Sequence, residues 1–166
     1  MVSKRLISAA AVAAFLLVAL AGSADARQSR ATTPAKSFVM VGYLGPVDKP
    51  FPTVDLSGGV NIFQARHALL LKLGAGVRPP PSALTPFTIS AGKMTKVLNT
   101  VTALSNSQKG SPVKIGIYSI DMSSGKVKVR TLNATAGKAA LNKLAGVLPT
   151  APAAAIRKFR KMTLGS

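Results

Sequence analysis

The stretch Val113–Leu132, VKIGIYSIDMSSGKVKVRTL, decides the fold, because it reads as two β-strands joined at a Ser-Ser-Gly turn. Strands Val113–Met122 and Lys126–Leu132 are rich in branched residues, and their side chains alternate between two faces. Pairing them through the three-residue turn sends Val113, Ile115, Ile117, Val127 and Val129 into a core. The same pairing sends Lys114, Tyr118, Lys126, Lys128 and Arg130 outward together. A polyanion laid across that face would meet cations at its charged groups and Tyr118 at a ring. An ordinary solvated face, with edge lysines blocking strand addition, has the same pattern.

Working outward, the phrase at the turn, Ser123–Lys126 (SSGK), has two near-copies: Ser90–Lys93 (SAGK) and Thr135–Lys138 (TAGK). Each copy follows a short β-rich run and precedes apolar residues at helical spacing. These are Met94, Val97, Leu98, Val101 and Leu104 in one case, and Ala140, Leu141, Leu144 and Leu148 in the other. Ser90 and Thr135 therefore read as helix N-caps, and the three phrases as shared turn chemistry rather than a repeated site.

Upstream, Ser37–Leu44 (SFVMVGYL) reads as a buried strand and Thr53–Leu56 as a shorter one. Asn61–Leu73 (NIFQARHALLLKL) fits a helix with an Asn61/Gln64 capping box and a Gly74 stop, and an alternating strand is its rival. Val77–Pro86 reads as a proline-rich connector before a strand at Phe87–Ile89. Ala153–Leu164 forms a basic helix, with Ile156, Phe159 and Met162 on one arc and Arg157, Lys158, Arg160 and Lys161 around the rest. Such a segment either docks on its own domain or lies in a headgroup layer. The prediction is a single α+β domain over residues 37–166, a mostly antiparallel sheet covered on one side by three or four helices.

The N-terminus has its own pattern. Two cations in Met1–Arg5 precede the apolar run Leu6–Ala21 and the small-residue site Ala24-Asp25-Ala26. That order is a secretory signal peptide over residues 1–26, so the expected mature chain starts at Arg27 and is periplasmic or secreted. Residues 27–36 read as a flexible basic leader. The chain has no Cys, so no disulfide stabilises an exported domain.

Composition restricts the chemistry. With 22 Lys and Arg against 4 Asp and Glu, the formal charge is +18. Beyond residue 26 the acids are Asp48, Asp55 and Asp121, and His67 is the only histidine. Paired carboxylates, a zinc ligand set and a nucleophile elbow are all missing. The Ser-x-x-Lys pairs at Ser90, Ser111 and Ser123 lack the companion motifs that would make them catalytic. The expectation is a non-catalytic exported protein, without cofactor or metal, that binds an anionic polymer or membrane surface through Lys114, Tyr118, Lys126, Lys128 and Arg130, through Arg157, Lys158, Arg160 and Lys161, or through both groups. The alternatives are a small exported hydrolase using His67 with Asp48 or Asp55, and a structural or inhibitory protein–protein module.

Overall fold

Phe38, Val39, Met40 and Val41 are consecutive, apolar and each 0% exposed. Because strand side chains alternate, such a run can be buried only if both faces of its sheet are covered. The computed structural model, which describes residues 35–44, 53–74, 83–107 and 115–165, has this two-sided arrangement. The expected signal peptide, most of the leader, Asp48, Lys114 and most of the proline-rich connector lie outside the described residues. The described elements belong to one compact unit, Pro34–Ser166.

The elements run β1 (Ser37–Tyr43), β2 (Thr53–Gly58), α1 (Ile62–Leu73), β3 (Ala83–Thr88), α2 (Ala91–Ala103), β4 (Ile115–Asp121), β5 (Val127–Leu132), α3 (Ala134–Val147) and α4 (Thr150–Leu164). The sheet order is β3-β2-β1-β4-β5, with β1 at the centre. All neighbours are antiparallel except β2 and β3, so the domain is α+β with a mostly antiparallel sheet. Parallel neighbours need a crossover, and α1 is the helix in the β2–β3 connection. The expected one-sided helical cover is corrected accordingly. Helices α2, α3 and α4 pack on the face of Val39, Val41, Val54, Leu56, Ile115, Ile117 and Leu132, and α1 packs on the face of Phe38, Met40, Tyr118 and Ile120.

Local chemistry explains most element ends. The Asn61 side chain accepts the Gln64 N–H at 3.1 Å, and Gly74 ends α1 at φ 78, so the helical reading of Asn61–Leu73 holds. Ser90 caps α2 by accepting the Lys93 N–H at 3.4 Å. Thr135 is not the cap of α3: Asn133 is, accepting the Ala136 N–H at 2.9 Å, while Thr135 already lies in the first turn. Pro149 and Pro152 start α4 rather than merely ending what precedes it, since first-turn N–H groups have no intrahelical partner to lose. Strand β3 takes in Ala83–Pro86, the end of the expected connector. An edge strand tolerates a proline there.

The face under α1 carries one charged anchor. Thr53, Asp55 and Ser57 on β2 are buried, and Arg66 of α1 donates Nη1 to Asp55 Oδ2 and to Thr53 Oγ1, the latter at 3.0 Å. Asp55 Oδ1 is buried without a hydrogen bond. Burial pushes the Asp55 carboxyl above its ordinary value, and the Arg66 charge and hydrogen bond pull it partly back. Such a pair contributes little net stability relative to apolar packing, but leaving one half alone is costly. Arg66→Met should therefore destabilise by about 3–5 kcal/mol at neutral pH. A carboxyl whose folded value is raised regains stability on protonation, so the deficit should shrink as pH falls toward 3.8. Asp55→Leu combined with Arg66→Met should recover most of the loss; urea denaturation across pH measures both effects.

Candidate functional site

The hairpin turn sets where the cations point. Asp121 donates its N–H to the Lys126 carbonyl at 3.0 Å, leaving Met122–Gly125 as the turn, and the Gly125 N–H returns to the Asp121 carbonyl at 2.7 Å. The Asp121 carboxylate accepts the Ser123 N–H at 2.8 Å and the Ser124 hydroxyl at 2.9 Å, and Gly125 supplies φ 66. This turn is one residue longer than the expected Ser-Ser-Gly, so the pairing shifts by one residue and the faces exchange.

The consequence is a correction to the expected surface. Tyr118 pairs with Val129 and Met40, faces α1 with Ile120 and is 3% exposed, so it does not share a face with the hairpin cations. Its ring lies over Gly116, where any side chain would collide with it, and burial pushes its hydroxyl above the ordinary value. Lys128 pairs with Ser119 and Arg130 with Ile117, which places both on the side of α2–α4. Val127 and Val129 pack instead with the cluster under α1.

Arg130 is half-buried and donates Nη1 to the Val129 carbonyl at 3.2 Å. Lys126 is exposed, and half-buried Lys128 reaches Thr102 Oγ1 of α2 at 3.2 Å. On α4, Pro152, Ala153, Ile156 and Phe159 are buried in the core, so most of the apolar arc docks on the domain, whereas Met162 at its far end is 46% exposed. Arg157, Lys158 and Lys161 are exposed, whereas Arg160 ties α4 to α3 through Asn142 Oδ1 at 2.7 Å. Helix α4 touches β2 and β3, and β5 is the opposite edge strand. The two groups of candidate cations thus lie on different elements, the β4–β5 hairpin and helix α4.

His67 is exposed on the outer side of α1, one residue from Arg66. Asp55 is committed to Arg66, so the pairing of His67 with Asp55 considered for a hydrolase is not formed. On the same outer stripe, at positions i and i+8, Phe63 is 81% and Leu71 69% exposed. Among the described residues no group of three or more His, Cys, Asp or Glu is gathered to hold a metal ion.

Sequence reasoning missed a cleft. Ser37, Leu98, Thr102, Ser119, Asp121, Lys126 and Lys128 line a space of about 200 Å³ between α2 and the turn end of the hairpin. Its partners come from β1, α2, β4 and β5, and the sequence signal is only that Ser replaces Val or Ile once in each of two strands. Comparison with family models, with curated proteins and with solved structures finds no match.

The Asp121 turn gives a pH test. Hydrogen bonds, chiefly from the Ser123 backbone, hold the Asp121 carboxyl below its ordinary value. A depressed carboxyl contributes stability above its unfolded value of 3.8 and loses it as pH falls through the lower folded value. Asp121→Ala should cost about 1 kcal/mol near neutrality, with the gap to the parent closing in acid. Asp121→Asn keeps an acceptor for the Ser123 N–H and should show a smaller gap that does not change with pH. Chemical denaturation at neutral and acid pH checks both.

Proposed function

We propose that the protein is an exported, non-catalytic binder of an anionic polymer, attached by surface charge rather than by insertion of an apolar segment. The observation that carries the reading is the use of α4. Pro152, Ala153, Ile156 and Phe159 are committed to the core, which leaves Met162 as the one large apolar side chain exposed on the helix, while Arg157, Lys158 and Lys161 are exposed as well. Lys96 on α2, Lys126 at the hairpin and Lys143 on α3 add exposed cations to the same helical layer. Of the two acids among the described residues, Asp55 is neutralised by Arg66 and Asp121 is held in its turn. A chain with formal charge +18 thus offers a polyanion many cations with few internal competitors. Release of counterions from the polymer supplies the driving force.

A second reading has its own observation. Phe63 and Leu71 form an exposed apolar stripe on α1, on the far side of the sheet from the cationic helices, which suits a protein partner rather than a polyanion.

Retention on heparin and on DNA across a salt series tests the first reading. Neutralising Lys126 and Lys128 to Gln in one variant, and Arg157, Lys158 and Lys161 in another, should flatten the dependence of log affinity on log salt. The slope should fall by about 0.7–0.9 for each cation that no longer engages the polymer. If neither variant changes the slope on either polymer, the charge only solubilises the protein and the reading fails. Retained polymer binding in a Phe63→Ser/Leu71→Ser variant is also expected, because that stripe takes no part.

A further inference from the structure

The helix-covered face of the sheet changes character at one end. Along β4 its row reads Ile115, Ile117, Ser119, Asp121, and along β1 it reads Val41, Val39, Ser37. The two strands therefore exchange a branched apolar residue for serine where α2 passes over the hairpin. Ser37 is 5% and Ser119 4% exposed, and neither hydroxyl has a side-chain hydrogen bond within the protein among the described residues. Neither hydroxyl oxygen is among the buried polar atoms that lack a partner, so both open onto solvent, where a ligand can reach them. Both serines line the cleft between α2 and the hairpin, together with Thr102, Lys126 and Lys128.

The donor set identifies the ligand chemistry. Two lysines and three hydroxyl residues line one small space together with one acid, Asp121, whose carboxylate accepts from Ser123 and Ser124. Lysines bind phosphate as point charges. A phosphate monoester carries about −1.5 to −2 charges at neutral pH, is attracted by the excess of lysine over carboxylate in the lining, and offers three oxygens to the three hydroxyls. About 200 Å³ leaves room beyond the phosphate for a few carbons, and Leu98 gives them an apolar wall.

We propose that this cleft binds the phosphate group of a small phosphate monoester, with Ser37, Ser119 and Thr102 as hydroxyl donors and Lys126 and Lys128 as the balancing cations. Lys128 already donates to Thr102 at 3.2 Å, which holds its ammonium at the mouth before a ligand arrives. The site shares Lys126 and Lys128 with the polymer-binding surface but adds hydroxyls in a cleft, which the exposed cations of α4 do not provide.

Isothermal titration of the full chain with glycerol 3-phosphate, and separately with inorganic phosphate, tests the proposal. One-site saturation is expected with both, and none with glycerol. Lys128→Gln should weaken binding at least tenfold, the scale of removing one charge-assisted hydrogen bond. Ser119→Ala should weaken it several-fold while leaving the fold intact, since it removes one hydroxyl from the cleft lining rather than a packed group. Lys158→Gln/Lys161→Gln on α4 should leave it unchanged. The proposal is overturned if no saturation occurs, if Ser119→Ala binds like the parent, or if the α4 variant weakens as much as Lys128→Gln. Ser119→Ala separates the two readings, since it should weaken phosphate binding and leave polymer retention unchanged, whereas Lys128→Gln touches both.

Discussion

The carboxylate of Asp121 holds the turn on which the chemistry of this surface depends. By accepting from Ser123 and Ser124 it stabilises a turn over Met122–Gly125, and this turn length determines which residues of β4 and β5 face each other. One residue fewer would carry Lys128 and Arg130 to the side of α1 and bring Val127 and Val129 under the helical layer. With the observed pairing, Lys128 meets Ser119 beside Thr102, and Tyr118 goes under α1. A weak local interaction thus decides the chemistry of a whole face, because the period of a strand is two and admits no intermediate.

The second determinant is the double burial of β1. Its apolar residues occupy both parities, so no arrangement of helices on one side suffices, and the β2–α1–β3 crossover supplies the second layer. Helix α1 is an unusual cover, apolar on its inner side at Ala65 and Leu69 yet also exposing Phe63 and Leu71. Its placement is aided by the Arg66–Asp55 pair, a directional contact within a face otherwise held by non-directional packing.

Much of the architecture was legible in local chemistry. Asn61 and Ser90 cap as their side chains suggest, Gly74 stops a helix, and the spacing of Met94, Val97 and Val101 marks the buried side of α2. What was not legible depends on partners distant in the chain. Nothing local marks Arg66 rather than His67 as the inward residue of α1, or Asn133 rather than Thr135 as the cap of α3, since each pair offers chemically suitable neighbours one or two positions apart. The hairpin faces failed for a similar reason: Ser-Ser-Gly suggests a turn without stating whether Met122 belongs to it. The cleft was hidden because each of its serines, read alone, is an ordinary polar residue in a strand.

Cross-strand nuclear Overhauser effects within the hairpin measure the pairing on which the cationic surface and the cleft both rest. Contacts between Tyr118 and Val129, and between Ser119 and Lys128, are predicted, with the Tyr118 ring also reaching the backbone of Gly116. Contacts placing Tyr118 directly opposite Arg130, with Met122 opposite Lys126, would contradict the account and return the lysines to the side of α1.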